Sequence, residues 1–200
     1  MVLILHPFSG QHSERQSETW DFLRTVRERY TVVDKLCEGK YGYNDFLAEN
    51  WGKGEDIVIV EMDMVPTIAD LEELVSCSKT HCNFPYRPGL YPIIRLKNFE
   101  TIFFTEFWGM GFARISSTAQ EQIPIESWNR ASSWLILDRS IATPLISKFG
   151  HYHLHKRLVK HNHPYNWNSP RRVARGLLLS AEVLLNYRIV NSSFKPAADE

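Results

Sequence analysis

Asp56-Ile57-Val58-Ile59-Val60-Glu61-Met62-Asp63-Met64-Val65-Pro66 is the stretch whose reading decides the fold. Ile57 to Val60 and the nearby Met62 are apolar, β-branched residues dominate, and a Lys53-Gly54-Glu55-Asp56 turn precedes them. A short continuous apolar run of this kind predicts a strand buried on both faces, as in the middle of an α/β sheet. The run leads into two carboxylates spaced i, i+2. On an extended chain such residues point the same way. Glu61 and Asp63 are therefore expected to converge just past the strand's carboxyl end, where open α/β sheets bind their ligands. Two close carboxylates repel each other unless a cation lies between them or one is protonated. The pair thus predicts a divalent metal site, against the alternative of a solvated turn before a helix that Pro66 starts.

Outward from this stretch, the chain reads as β-α-β-α-β-α. Val2 to Leu5 is a first buried strand, with His6-Pro7-Phe8-Ser9-Gly10 as its exit loop. Ser13 or Ser17 can cap a helix carrying Trp20, Phe22, Leu23 and Val26. Thr31-Val32-Val33 is a second strand. Tyr43 to Trp51 is a short helix, with Asn44 as its cap and Gly52 and Gly54 beyond its end. Thr67 caps a helix bearing Ile68, Leu71, Leu74 and Val75. That alternation predicts a parallel sheet with helices on its faces. The pattern then changes. Phe84 to Gly89 is a loop, and 93–107 is strand-rich. Trp108 to Ile115 is a strand punctuated by Gly109 and Gly111, which let the backbone bend or approach a ligand. Trp134-Leu135-Ile136-Leu137-Asp138 is another strand-like run ending in an acid, followed by a helix from Ser140 to Phe149 closed by Gly150. Ser169-Pro170 opens a C-terminal helix.

Length and composition set the bounds. Two hundred residues fit one domain, and 44% hydrophobic residues supply a sizeable core. The net charge is zero, which removes any global attraction to polyanions. Charge is unevenly spread, however. No acid occurs between Arg139 and Ala181, where Lys156, Arg157, Lys160, Arg171, Arg172 and Arg175 cluster. A basic last third beside an acidic strand end suits a ligand made of metal and phosphates. Nucleic-acid binding through those cations, with Tyr165 and Trp167 as stacking partners, is the weaker reading because the net charge is zero. Cys37, Cys77 and Cys82 are odd in number and no signal peptide precedes them, so they read as free thiols of a cytoplasmic protein. Cys77 and Cys82 could pair locally in an oxidising setting. Two thiols with His81 are too few for a closed zinc site. No segment reaches the ~18 apolar residues of a membrane span.

The other notable segment holds His151, His153, His155, His161 and His163. Alternating histidines on an extended chain share a face, and imidazole is a common metal ligand. Two sites follow: a histidine-only transition-metal centre, which would suit a hydrolase, and a mixed centre in which one histidine joins Glu61 and Asp63.

The order of these features resembles nucleotide-sugar glycosyltransferases of the GT-A fold, most like small glycosyltransferase-like proteins of phages and archaeal viruses. Glu61-Met62-Asp63 stands where that family has Asp-x-Asp, with Glu replacing the first Asp. The blocks Trp108 to Arg114, Trp134 to Asp138 and Val159 to His163 look like its later pattern. The resemblance covers roughly residues 1–165. It implies a single-domain, GT-A-like (Rossmann-like) three-layer α/β/α fold with a mostly parallel mixed sheet. Residues 1–75 would form its nucleotide-binding half, 76–168 its acceptor half and 169–190 a C-terminal helix able to meet a second copy. It implies transfer of a sugar from a nucleotide-sugar donor to a glycan or protein acceptor, with Mn²⁺ or Mg²⁺ as cofactor. Glu61, Asp63 and His161, or failing that His163, would hold the metal. His6, Pro7, Phe8, Arg15, Met62, Gly109 and Gly111 would line the donor site beside the two acids, and Asp138 would be the catalytic group on the acceptor side. A GT-A-like module that binds a nucleotide or serves as a structural viral protein, without turnover, is the alternative.

Overall fold

The computed structural model describes residues 1–10, 17–39, 41–84, 110–128, 134–150 (backbone alone over 134–139), 153–157 and 159–162. The chain divides into two compact units, residues 1–86 with 105–163 and residues 87–104 with 164–200. The second lies wholly outside the described residues, as do the expected strand-rich segment 93–107 and the C-terminal helix.

The fold is mixed α/β, built on a six-stranded, mainly parallel sheet. The apolar run forms β3 (Asp56–Val60), and Ile57, Val58, Ile59 and Val60 are each fully buried, as a two-sided interior strand requires. On one side β3 pairs in parallel with β1 (Val2–Phe8), which pairs in parallel with β2 (Thr31–Leu36). On the other side β3 pairs antiparallel with β6 (Phe112–Ile115). β6 pairs antiparallel with β5 (His81–Asn83), and β5 in parallel with β7 (His153–Leu154). The order is β2-β1-β3-β6-β5-β7. A separate two-stranded ribbon joins β4 (Met64–Val65) to β8 (Lys160–His161).

Helices cover both faces. On one, α1 (Ser17–Val26) and α3 (Ile68–Ser76) bury Phe22, Leu23, Val26, Leu71 and Leu74 against Ile4, Val58, Val60, Phe84 and Phe112. Each such side chain contributes roughly 1.5–3 kcal/mol of burial. The alternate residues Leu3, Leu5, Ile57 and Ile59 are just as buried and face the other way. There α2 (Gly42–Asn50) packs on β1 and brings Phe46 and Leu47 into the core. Trp51, at the end of α2, donates its indole N–H to the carbonyls of Gln120 and Ile123, on and just past α4 (Ser117–Gln122). The Thr67 cap is present as a full capping box with Asp70.

Three expectations are corrected. His6 to Phe8 continue β1 rather than forming its exit loop. Pro7 is tolerated because β1 pairs with β3 only from Val2 to Leu5, so no ladder donor is needed on that side. Asn44 lies buried inside α2, whose N-cap is Tyr41 with no side-chain cap. Trp134 to Asp138 is not a strand but the opening of the sixteen-residue helix α5 (Trp134–Phe149). An apolar run this short has no periodicity that separates a buried strand from a buried helix.

Candidate functional site

The strand order 2-1-3 puts a switch point between β1 and β3: the chain leaves β1 toward β2, then crosses back to β3. Both strands run in parallel, so their carboxyl ends open on the same edge. Ligands of open α/β sheets bind at such a crevice. Here it is flanked by His6-Pro7-Phe8 from β1 and Glu61-Met62-Asp63 beyond β3.

After Val60 the chain makes a tight turn, in which the Met64 N–H donates to the Glu61 carbonyl at 3.0 Å. It then enters β4, which pairs with β8 in the register Met64↔His161. The Asn162 N–H donates to the Asp63 carbonyl at 2.7 Å and extends that pairing. This ribbon carries His161 to Asp63, with imidazole Nε2 and carboxylate Oδ2 3.1 Å apart. The two side chains are only 7% and 15% exposed. Thr19 of α1, fully buried, supports the turn from beneath through its hydroxyl, 3.0 Å from the Met62 carbonyl and 2.8 Å from that of Met64. Lys160 and Asn162 both reach Glu18 of α1, and these two partners, Lys160 first, hold the Glu18 carboxyl below its usual range.

Glu61 is fixed by different neighbours. Its N–H donates to the Gly111 carbonyl at 2.8 Å, and Tyr43 of α2 donates its hydroxyl to Oε1 at 3.0 Å. A Cβ on Gly111 would stand 3.0 Å from Glu61 Oε2 and 3.1 Å from Met64 Sδ. The glycine therefore makes room for the carboxylate. Met62 points its sulfur back to β1, where the Ser9 N–H lies 3.3 Å from it.

On the β1 side the walls are aromatic. His6 stacks on Phe8 with centroids 5.7 Å apart, and both meet Trp20 edge-on, at 4.7 and 5.3 Å. His6 is fully buried and donates from Nδ1 to the Val60 carbonyl at 2.8 Å, while its Nε2 has no hydrogen-bond partner among the described residues. Burial holds its pKa below the usual value, against the opposing pull of that carbonyl. Pro7 is buried, and Phe8 is half-exposed.

Of the residues expected from the sequence, Asp63 and His161 are brought together, and Glu61, Met62 and Gly111 border the same turn. Arg15, Gly109 and His163 lie outside the described residues. Asp138 lies in α5 rather than at a strand end, so the argument that set its carboxylate at the sheet's edge falls. Tyr43 and Thr19 were missed, since neither belongs to a chemical motif and only the packing of α1 and α2 brings them here.

Asp63 and His161 suit a divalent cation. One offers a hard oxygen and the other an imidazole, a set that Mn²⁺ or Mg²⁺ accepts, with the nitrogen favouring Mn²⁺. Two ligands at right angles, each ~2.1 Å from an ion, stand about 3 Å apart, which matches the observed 3.1 Å separation.

No protein-family model matches the sequence, and no curated protein matches it. Among solved structures, the chain is similar to a Bacillus anthracis protein provisionally assigned as a glucose-1-phosphate thymidylyltransferase, in complex with a sucrose. The identity is 10%, with 90% of this chain and 95% of that one covered and a TM-score of 0.48. At that overlap nothing about binding or activity passes from that protein to this one. No helix among the described residues is long and apolar enough to cross a membrane.

Proposed function

We infer that this chain is a metal-dependent glycosyltransferase, which binds a nucleoside diphosphate sugar at the switch point between β1 and β3. The observation that carries this reading is the Asp63–His161 approach at 3.1 Å, immediately beyond the carboxyl end of β3. Asp63 and His161 would hold a Mn²⁺ or Mg²⁺ ion, with Glu61 oriented toward the same turn by Tyr43. When bound, the ion neutralises charge on the diphosphate as the sugar departs. Phe8 and Trp20 offer an apolar edge for the base, as aromatic side chains do for planar rings. The half-buried turn, tied by Thr19 and Asn162, keeps the ligand groups fixed before substrate arrives, which lowers the cost of binding.

The test is a thermal-shift and calorimetric screen of nucleoside diphosphate sugars with and without Mn²⁺. A ligand at about 100 times its dissociation constant raises stability by ~2.7 kcal/mol. Stabilisation that requires both sugar nucleotide and metal, with slow release of nucleoside diphosphate, is the expected result. Metal-dependent binding with no release would leave a binding module rather than an enzyme. Absence of any metal-dependent stabilisation would end the reading.

A further inference from the structure

A second cluster lies on elements that the crevice does not use. Cys77, Cys82 and His155 present two sulfurs and one ring nitrogen, all within 4.8 Å of one another. We propose that these three residues form a thiolate–imidazole site for a zinc-like divalent cation.

The fold explains why three residues distant in sequence meet. Cys82 lies in the middle of β5, fully buried, in register with His153 of β7. Paired residues of neighbouring strands share a face, and so do residues two apart on an extended chain. The His-x-His alternation therefore sets His155 beside Cys82. Cys77 comes from the C-cap of α3, which packs on that face. Arg114 fixes it by donating to the Cys77 carbonyl at 2.9 Å. His81, the neighbour in sequence, is excluded. It alternates to the opposite side of β5, and its Nε2 lies 3.1 Å from the Gly150 carbonyl.

The histidine is prepared as a ligand. Its Nδ1 donates to Glu73 Oε1 at 2.7 Å, and Arg157 holds the other oxygen of Glu73 at 2.9 Å. The ring stacks on Phe84 with centroids 4.5 Å apart. His155 is 6% exposed, and its Nε2 is buried without a hydrogen-bond partner among the described residues. A buried imidazole nitrogen left unpaired costs free energy unless something binds it. A carboxylate on the far nitrogen is the arrangement that orients metal-binding histidines and strengthens them as ligands. In a tetrahedral zinc site, sulfur–sulfur and sulfur–nitrogen separations are about 3.6–3.8 Å, from bonds of ~2.3 and ~2.05 Å. The three atoms, within 4.8 Å of one another, thus need to close by no more than about 1.2 Å. Sulfur ligands select zinc over magnesium or manganese, and each thiol gives up its proton on binding. Cys77 is half-exposed, so an ion can approach from solvent. Three ligands leave a fourth position for a water or a further ligand.

The test uses the full-length chain, purified with reductant, stripped with chelator and titrated with Co²⁺. We expect tetrahedral visible bands and a thiolate-to-cobalt charge-transfer band that saturate at one cobalt per chain, both lost when Zn²⁺ is added. Cys77→Ser, at a half-exposed cap, should keep the fold by circular dichroism and weaken the charge-transfer band. Glu73→Gln should lower cobalt affinity by about 10–100-fold, the range for an outer carboxylate partner. Asp63→Asn should leave the thiolate band intact, which separates this site from the crevice. A wild-type protein without the charge-transfer band overturns the proposal. So does a band that Cys77→Ser leaves unchanged, or a Cys77–Cys82 disulfide found by peptide mapping of protein kept under reductant.

Discussion

The Asp63 carboxylate and the His161 imidazole meet at 3.1 Å because Met64 and His161 occupy the same register of a two-residue ribbon. The register matters more than the spacing of Glu61 and Asp63. A turn begins at Glu61, so the two acids find separate partners, Tyr43 for one and His161 for the other.

Asp63→Asn and His161→Gln should each abolish Mn²⁺-dependent stabilisation by a nucleoside diphosphate sugar. Each keeps a polar group of similar size, so the ribbon's backbone pairing should survive. Thermal shift with and without Mn²⁺ reads the effect. Full metal-dependent stabilisation retained in both variants would remove Asp63 and His161 from the metal site.

Gly111→Ala tests the other acid. The new methyl would sit 3.0 Å from Glu61 Oε2, a chain end that can rotate away, and 3.1 and 3.2 Å from Sδ and Cγ of buried Met64, which must give by a few tenths of an ångström. Overpacking costs ~1–3 kcal/mol, and here the low end applies. Loss of unfolded-state freedom returns roughly 0.4–1 kcal/mol. Global stability should therefore change by less than about 1 kcal/mol, while Glu61 is pushed off its Tyr43 hydrogen bond. If Glu61 contributes to the metal, Mn²⁺ affinity falls in Gly111→Ala and, less, in Tyr43→Phe. Calorimetric titration with Mn²⁺ measures both. Unchanged affinity in each would leave Glu61 a structural residue.

The β1 to β3 part of the sheet was legible in the sequence because its signals are local and strong. Ile57 to Val60 reads as an interior strand from composition alone, and Thr67 reads as a cap from its place before a helical stripe. The pairing of His161 with Asp63 came from the order of blocks, not from any local pattern. What remained hidden depended on register between distant segments. The sequence set His81 beside the two thiols because it is adjacent to Cys82, yet adjacent strand residues point to opposite faces. His155 is the histidine that the β5–β7 pairing sets beside Cys82. Trp134 to Asp138 was misjudged for a different reason: five apolar-rich residues do not encode a period.

Asp56 and Arg114 clamp the opposite end of β3. Arg114 is 7% exposed, donates from Nε to Asp56 Oδ2 at 3.0 Å, and also reaches the Cys77 and Lys79 carbonyls. Burial pushes the Asp56 carboxyl up, but the Ser117 N–H and the Arg114 guanidinium outweigh it and hold it below the usual range. The unfolded chain therefore takes up this proton first. The pair's stabilisation is complete above the unfolded value of ~3.9 and is lost as pH falls through the lower folded value. Asp56→Asn leaves a buried guanidinium without its counter-charge and should cost about 2–3 kcal/mol at neutral pH, shrinking below pH ~4. Urea denaturation at several pH values measures this. A constant difference down to the acid transition would contradict it.

His6 gives the pH dependence near neutrality. Its ring is fully buried between β1 and Trp20, its Nδ1–H bonds the Val60 carbonyl, and burial lowers its pKa. The unfolded chain binds a proton at about pH 6.5, where the folded chain does not. Below that pH the unfolded state holds more protons, so stability falls as pH decreases and is fully present above ~6.5. For one group the slope approaches ~1.4 kcal/mol per pH unit. His153 is shifted downward too, by burial and by neighbouring His155, and adds a loss of the same sign. The two separate by substitution. His6→Gln keeps a donor for Val60 but does not titrate, so its stability deficit relative to wild type should narrow as pH drops from 7 to 5.5. His153→Gln, on the exposed edge strand, should flatten the profile less and carry almost no deficit at pH 7. Equilibrium denaturation of the three proteins across that range decides the matter. Parallel profiles for wild type and His6→Gln would mean that His6 takes up its proton in the folded state as readily as in the unfolded chain.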